Sequence, residues 1–181
     1  MNIGLFFGSF NPIHSGHLTI AEYFVKNELV SEVWFVVSPQ SPFKQDFIEK
    51  NESVNRNTDF SKLMLDFEER VSLIKEAIKL NPKLKVCTIE QTLPKPSYTI
   101  DTLNELAKKY PSEKFIILMG SDQLKGLEKW KNWDEIASTY KIFVYPRGYE
   151  DFAYIKPNTI VFANAPLIDI SSTKIRNQWA K

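Results

Sequence analysis

The sequence predicts an α/β fold, a doubly wound parallel sheet with helices on both faces, in a single domain over residues 1–181. Short continuous runs rich in Val, Ile and Phe alternate along the chain with segments whose apolar residues recur at steps of three and four. The runs are typical of strands buried on both faces, and the second pattern is that of amphipathic helices. Their alternation predicts parallel strands joined by crossover helices.

The elements can be placed in order along the chain. The predicted strands are Ile3–Phe7, Val33–Val37, Val86–Ile89, Phe115–Met119, Ile142–Tyr145 and Ile160–Phe162. The predicted helices are Gly16–Glu28, a second with the stripe Phe60, Leu63, Phe67, Val71, Ile74 and Ile78, and a third with Ile100, Leu103 and Ala107. The polar segment Gln40–Asp59 predicts a mobile surface loop. Ligands of such sheets bind at the carboxyl ends of the strands, so we expect a site there.

Composition narrows the class of protein. The net charge of +1 gives no reason to expect a nucleic-acid or membrane partner. The only cysteine, Cys87, cannot form an internal disulfide and is expected to be a buried packing residue in a reducing cytoplasm. The chain opens on a strand without a signal peptide, and no apolar run approaches the length of a membrane span. The oligomeric state stays open, with a homo-oligomer as one alternative.

The segment Gly8–His17, with the sequence GSFNPIHSGH, follows the first predicted strand and holds both histidines of the chain. A glycine-containing strand-to-helix junction directs backbone N–H groups at the space above it, and the helix dipole favours an anion there. His17 falls in the first helical turn, where an imidazole can meet phosphate oxygens. The pattern is neither a phosphate-binding loop ending in Gly-Lys-Ser/Thr nor a G-x-G-x-x-G fingerprint. The alternative is a plain turn whose histidines satisfy local backbone groups.

A second candidate anion site lies near the other end of the chain, at Ile170–Arg176 with the sequence ISSTKIR. Ser171 is a natural helix N-cap, which would put Ser172 and Thr173 in the first turn. Ser172 and Arg176 are four residues apart and share a helix face. Free N–H groups, hydroxyls and a guanidinium together suit a polyphosphate. The alternative is a capped helix with a solvated arginine.

These two segments resemble the G-x-F-x-P-x-H-x-G-H and I-S-S-T-x-I-R signatures of the nucleotidyltransferase superfamily of adenylyl and cytidylyl transferases, which has a Rossmann-like fold. Three further stretches resemble bacterial nicotinate-nucleotide adenylyltransferases. Pro96–Leu103 is similar to their P-S-Y-T-x-x-T-L segment, Gly120–Leu124 to their G-x-D-x-L, and Trp130 falls where they keep a tryptophan in the pyridine pocket.

The resemblance implies transfer of the adenylyl group of ATP to nicotinic acid mononucleotide, giving deamido-NAD and pyrophosphate, with Mg²⁺ bound mainly through the ATP phosphates. The implied catalytic residues are His14, His17, Lys44 and Arg176. The implied ATP ligands are Gly8, Ser9, Phe10, His14, His17, Gly120, Asp122, Ile170, Ser171, Ser172, Thr173 and Arg176. The implied mononucleotide ligands are Ser9, Phe10, Lys44, Tyr98, Thr99 and Trp130.

Within these sets the resemblance implies separate duties. The two histidines serve the α-phosphate region, and Ser172, Thr173 and Arg176 hold the β- and γ-phosphates. Lys44 would close from the mobile loop, and Asp122 would contact the ATP ribose. At the pyridine end, Trp130 would stack on the ring, while the Thr99 hydroxyl and nearby backbone N–H groups bind its carboxylate.

The chain departs from the family pattern at two places. The family's P-P-H-K appears as Ser41-Pro42-Phe43-Lys44, which keeps the lysine and replaces the histidine. The family's R-P-G appears as Pro146-Arg147-Gly148, which leaves Arg147 without an assigned role. Two alternative functions remain at this point: adenylyl transfer to another phosphorylated acceptor such as phosphopantetheine, and nucleotide binding without catalysis.

Overall fold

The structure is a computed structural model that describes residues 1–39, 65–147, 158–168 and 175. Within them, six strands form one sheet in which every neighbouring pair is parallel. The strands are β1 (Asn2–Gly8), β2 (Glu32–Val37), β3 (Leu84–Cys87), β4 (Lys114–Gly120), β5 (Lys141–Tyr145) and β6 (Thr159–Val161). Their order in the sheet is β3-β2-β1-β4-β5-β6, so the direction of winding reverses between β1 and β4.

Four α-helices and three short 3₁₀ helices accompany the sheet in the described part of the chain. The α-helices are α1 (Ser15–Lys26), α2 (Phe67–Ile78), α3 (Thr99–Lys109) and α4 (Trp133–Thr139). The 3₁₀ helices are Ile89–Thr92, Ser121–Gln123 and Leu127–Lys129. The fold is therefore Rossmann-like, and the predicted doubly wound α/β class is confirmed.

The helices divide between the two faces of the sheet. Alternate side chains of a strand point to opposite faces, and on β1 Phe6 joins one apolar cluster while Leu5 joins the other. The Phe6 cluster contains the buried residues of α1 and α2, including Phe24 and Ile74. The Leu5 cluster contains those of α3 and α4, including Leu103. Because both faces are covered, the strands read as continuous apolar runs.

All six predicted strands are present, with the third displaced along the chain by two residues and the sixth by one. We expected the third strand at Val86–Ile89, but β3 spans Leu84–Cys87 and Ile89 already begins a 3₁₀ helix. Cys87 ends the strand and is partly rather than fully buried, which corrects its expected place in the core.

Helix α2 begins at Phe67 because Asp66 caps it: the Asp66 carboxylate accepts from the Glu69 N–H, and the Glu69 carboxylate accepts from the Asp66 N–H. The predicted loop Gln40–Asp59, and Phe60 and Leu63 of the predicted stripe, lie outside the described residues. None of the described helices has the length and apolar character needed to cross a membrane.

Candidate active site

A cleft of about 780 Å³ opens at the carboxyl ends of the strands, around the point where the strand order reverses. The cleft is lined by residues that follow β1, β2, β4 and β5 and by the start of α3. Its lining includes Gly8, Ser9, Phe10, His17, Ser38, Glu90, Ser97, Tyr98, Thr99, Gly120, Asp122, Lys125, Lys129, Trp130, Lys131 and Arg147. Such a switch point is where open parallel sheets bind their ligands.

The loop after β1 has a tightly fixed backbone. Phe10 has a φ of 44°, in the left-handed region that residues other than glycine rarely adopt. Its ring is 2% exposed and packs edge-on against Phe35 and His17, with ring centroids 5.3 and 5.0 Å away. A Cβ at Gly8 would lie 2.9 Å from this ring, so glycine is required there. The buried ring therefore holds the loop in its unusual conformation.

The two histidines form a stacked pair at the start of α1. Their ring centroids are 3.7 Å apart with an interplanar angle of 27°. The His14 backbone N–H donates to His17 Nδ1 at 3.3 Å, so the proton of a neutral His17 ring lies on Nε2. His17 lines the cleft, whereas His14 stands behind it as the N-cap of α1 and is 8% exposed. Within the described residues, neither His14 ring nitrogen has a hydrogen-bond partner.

Both imidazoles are neutral at physiological pH. Burial lowers the pKa of His14 to about 4, with a further contribution from the positive charge of Arg147. Burial likewise lowers the pKa of His17 to about 3, helped by His14 and Arg147. Desolvation penalises the charged imidazolium, and neighbouring cations act in the same direction. The pair can therefore donate and accept hydrogen bonds in the cleft but contributes no charge to it.

A charged pair closes the end of β4. Arg147 Nη1 lies 3.4 Å from an Asp122 carboxylate oxygen, and the Arg147 backbone N–H donates to Ser121 Oγ at 2.8 Å. A Cβ on Gly120 would overlap both the Asp122 carboxylate and the Arg147 side chain. Glycine at this position therefore lets the pair cross close to the strand end, where it borders the cleft.

The opposite wall of the cleft is aromatic. Tyr98 is the N-cap of α3 and Thr99 its first residue, and both line the cleft, so the helix begins at this wall. Trp130 is half-buried and packs edge-on against Trp133, with ring centroids 6.3 Å apart. Lys131 lies 4.7 Å from the Tyr98 ring and pairs with Asp101 of α3 at 3.0 Å, which ties this segment to the helix.

The structure brings most of the described candidate residues together. Nine of them line the same cleft: Gly8, Ser9, Phe10, His17, Tyr98, Thr99, Gly120, Asp122 and Trp130. His14 stacks behind His17. The remaining candidates lie outside the described residues: Lys44, Ile170, Ser171, Ser172, Thr173 and Arg176.

Several charged residues at the cleft were not predicted as site residues, including three lysines that line it, Lys125, Lys129 and Lys131. Arg147 borders it, Glu90 is 3% exposed and lines it, and Arg70 is 2% exposed beneath it. One signal for Arg70 was available: it stands three residues after Phe67 and four before Ile74, on the apolar face of α2. No comparable signal marks Glu90, since its partners are brought to it by the turn before α3.

A parallel sheet of this strand order with a polar, glycine-bordered cleft at its switch point defines a nucleotide-binding α/β protein. The chain belongs to the cytidylyltransferase-like family, whose family model matches residues 5–178. It is 43% identical over 178 residues to a probable nicotinate-nucleotide adenylyltransferase of Cytophaga hutchinsonii, covering 98% of this chain and 85% of the relative. A probable nicotinate-nucleotide adenylyltransferase of Bacteroides fragilis is 41% identical over 179 residues, with coverage of 98% and 81%.

A solved structure supports the fold. The nicotinic acid mononucleotide adenylyltransferase of Plasmodium falciparum, solved with NaAD, superimposes with a TM-score of 0.71. The match covers 97% of this chain and 82% of that one, at 18% sequence identity. The shared feature at this identity is the Rossmann-like nucleotidyltransferase architecture.

Proposed function

We propose that the protein is a nicotinate-nucleotide adenylyltransferase of NAD biosynthesis, which joins ATP and nicotinic acid mononucleotide into deamido-NAD and releases pyrophosphate. The observation that carries the proposal is the sequence identity of 43% and 41%, over 98% of this chain, to two probable nicotinate-nucleotide adenylyltransferases. The cleft supports it, because its two walls suit the two ends of the reaction: a glycine loop with neutral imidazoles on one side, and an aromatic wall with a helix N-terminus on the other.

The attacking group needs little activation. A phosphate monoester is already mostly ionised near neutral pH, so the mononucleotide phosphate can attack the α-phosphorus of ATP directly, and the bond to the pyrophosphate oxygen breaks. The protein must then align two anions and stabilise charge on the oxygens between them. His17 suits this task, since its pKa of about 3 keeps it neutral and Nε2–H is its free donor direction.

Charge neutralisation falls to other groups in the proposal. Arg147 stands at the end of β4 beside Asp122, where its guanidinium can face a phosphate while Asp122 contacts the ribose. Lys44, Arg176 and the hydroxyls of Ser172 and Thr173 are proposed on sequence grounds to hold the β- and γ-phosphates. Guanidinium groups and oriented N–H donors are the groups that phosphoryl-transfer sites use for this purpose.

The proposal includes a Mg²⁺ ion that arrives with the nucleotide rather than one held by a cluster of side chains. Among the described residues no group of three or more His, Cys, Asp or Glu side chains could hold a metal ion. Mg²⁺ keeps several waters and needs few protein ligands when phosphates coordinate it, so the ATP phosphates and water would hold it. Bound there, the ion would neutralise charge on the departing pyrophosphate.

The aromatic wall is proposed to select the acceptor. Trp130 can stack on the pyridine ring, and the first N–H groups of α3 together with the Thr99 hydroxyl can donate to its carboxylate. A carboxamide presents an NH₂ group to the same donors and leaves them unsatisfied, which costs more than a missing contact. We therefore expect the acid to be preferred over the amide mononucleotide.

The test is a panel of phosphorylated acceptors with ATP and Mg²⁺, read by pyrophosphate release and by the mass of the product. Nicotinic acid mononucleotide should give the highest kcat/KM and the mass of deamido-NAD. Faster turnover of phosphopantetheine would contradict the acceptor assignment. Absence of pyrophosphate with every acceptor, alongside tight ATP binding, would instead identify a nucleotide-binding protein without catalysis.

A further inference from the structure

Two charged side chains beneath the cleft are almost completely buried. Arg70 of α2 is 2% exposed and Glu90 of the 3₁₀ helix after β3 is 3% exposed. Arginine and glutamate are rarely buried to this degree unless they are paired or hydrogen-bonded. The partners of these two residues belong to the segments that form the two walls of the cleft.

Arg70 binds backbone carbonyls of three separate segments. Its Nη1 donates to the carbonyl oxygen of Ser9 at 2.6 Å and to that of Ser38 at 2.9 Å. Its Nε donates to the carbonyl oxygens of Leu65 and Asp66 at 3.2 and 3.3 Å. One guanidinium therefore joins the loop after β1 and the end of β2 to the start of α2. Only a planar fork of donors can reach all of these oxygens at once.

Glu90 binds side chains at the start of α3. One carboxylate oxygen accepts from the Ser97 hydroxyl at 2.7 Å and the other from the Thr102 hydroxyl at 3.0 Å. Burial raises the pKa of this carboxyl group, and the hydroxyls of Ser97, Thr102 and Ser38 oppose the rise. Ser97 and Thr102 flank the turn in which Tyr98 and Thr99 face the cleft, so Glu90 fixes that turn from below.

The two groups meet at Ser38, whose carbonyl binds Arg70 and whose hydroxyl interacts with Glu90. From this arrangement we infer that Arg70 and Glu90 are positioning residues with separate duties, Arg70 for the loop after β1 that both substrates are proposed to contact and Glu90 for the wall of the cleft proposed to hold the mononucleotide. The inference rests on the proposed function for the identity of the two substrates. It assigns neither residue a contact with them.

The Glu90 half is tested with Glu90→Ala, Glu90→Gln and, as a matched control, the exposed Glu105→Ala on α3. We expect Glu90→Ala to raise KM for nicotinic acid mononucleotide about tenfold or more, as the loss of two charge-assisted hydrogen bonds implies, while KM for ATP changes less than about twofold. Glu90→Gln should recover most of the loss, because an amide can still accept from one hydroxyl and donate to the other. Glu105→Ala should match the wild type.

The Arg70 half is tested with Arg70→Lys and with the exposed Lys75→Met of the same helix as control. A lysine cannot bridge Ser9 and Ser38 as a guanidinium does, so the binding of both ATP and the mononucleotide in calorimetric titration should weaken about tenfold or more, while Lys75→Met should bind both as the wild type does. Unchanged binding of both ligands by a folded Arg70→Lys would overturn this half of the inference, and a variant that does not fold would make Arg70 a purely structural residue.

Hydrogen exchange and the calorimetric titration above do not depend on catalytic turnover. Amide hydrogen exchange over residues 97–102 should accelerate in Glu90→Ala and stay unchanged in Glu105→Ala. Equal increases in KM for both substrates in Glu90→Ala, or no recovery by Glu90→Gln, would overturn the inference for Glu90 and leave it a purely structural residue. Wild-type protein that does not use nicotinic acid mononucleotide would count against the proposed function alone, since the exchange and ATP-binding results would still stand.

Discussion

At the scale of single residues, the two histidines combine a polar role with an uncharged state. Their stacking, their burial and the nearby Arg147 all oppose protonation. A neutral imidazole with Nδ1 already engaged by the His14 N–H presents one well-aimed donor. From these observations we propose that His17 acts by hydrogen bonding rather than by charge.

We expect His17→Ala to fold normally and to lose about two to four decades of kcat, because a positioned donor in a site of this kind has that value. His17→Gln, whose amide can place a neutral N–H near the position of Nε2, should recover part of the loss, and a charged His17→Lys should recover less. Steady-state kinetics on variants with native circular dichroism would decide. Near-wild-type turnover by the alanine variant would contradict the assignment.

The same pair should make the fold sensitive to acid. Above pH 6.5 both the folded and the unfolded histidines are neutral, and the free energy of unfolding is unaffected by them. Below pH 6.5 the histidines of the unfolded state become protonated, whereas in the folded state His14 stays neutral down to about pH 4 and His17 down to about pH 3. Each histidine then lowers the free energy of unfolding by up to about 1.4 kcal/mol per pH unit.

Urea unfolding at pH 7.5 and pH 5 measures this effect. His17→Gln should lose about 2 kcal/mol less than the wild type between the two values, since one titrating group has been removed. No third histidine is present to blur the comparison. An identical loss in both proteins would mean that His17 has an ordinary pKa in the folded state.

Sequence reasoning at this scale found residues that belong to motifs and missed those that act through tertiary contacts. Gly8 and His17 were predicted because local spacing places them at a strand end and a helix start, and Thr99 was predicted from the resemblance of its segment to the family pattern. The hydrogen bonds of Glu90 to Ser97 and Thr102 form only once the turn before α3 is in place. Arg147 stood in a broken family pattern, and its place in the cleft became visible from its tertiary contacts with Asp122 and Ser121.

At the scale of elements, the chain from the end of β4 to the first residue of α4 contains two tryptophans, Trp130 and Trp133, in different environments. Trp130 is half-buried on the cleft wall, and Trp133 is 7% exposed in the apolar cluster of α3 and α4. Their rings meet edge to face. The chain thus supplies a matched pair that separates ligand stacking from core packing.

Trp130→Ala should raise KM for nicotinic acid mononucleotide and leave KM for ATP nearly unchanged. The loss of one aromatic stack corresponds to about 1–3 kcal/mol, or roughly one to two decades in kcat/KM. Trp133→Ala should behave in the opposite way, with a lower melting temperature from the lost core contacts and similar changes for both substrates. If Trp130→Ala also melts early and leaves the mononucleotide KM alone, Trp130 is a core residue.

The elements themselves were largely predictable, and the exceptions have physical causes. Buried parallel strands are continuous apolar runs, which is why all six were found. Helix α4 was not predicted, because a helix of seven residues with two acidic residues in its first turn is too short to show a clear apolar period. The start of α2 at Phe67 was not predicted, because the helix was expected from an apolar stripe beginning at Phe60 rather than from the capping box of Asp66 and Glu69.

At the scale of the whole molecule, the two sequence motifs lie near opposite ends of the chain. The sheet order places β1 at the centre, so the loop that follows it meets the segments after β4 at the switch point. The ISSTKIR segment from Ile170 to Arg176 lies outside the described residues, and its role in binding the triphosphate stays a prediction.

Arg176→Ala therefore tests the predicted role of this segment in binding the triphosphate of ATP. We expect the affinity for ATP to fall much more than the affinity for the mononucleotide, since a guanidinium bound to phosphate oxygens is worth about 1.5–3 kcal/mol. Calorimetric titration of each ligand measures the two changes. Equal losses for both ligands would make Arg176 a structural residue.

Because Trp130 borders the cleft, we expect its fluorescence to report binding at the proposed acceptor site. Of the three tryptophans among the described residues, Trp34 packs against Tyr110 and Phe115 on the sheet and Trp133 is enclosed by apolar side chains, whereas Trp130 borders the cleft; the fourth, Trp179, lies outside the described residues. A pyridine ring stacked on its indole should quench emission that the other two retain. Occupancy of the acceptor site could then be followed by fluorescence in real time, without a label and without waiting for product.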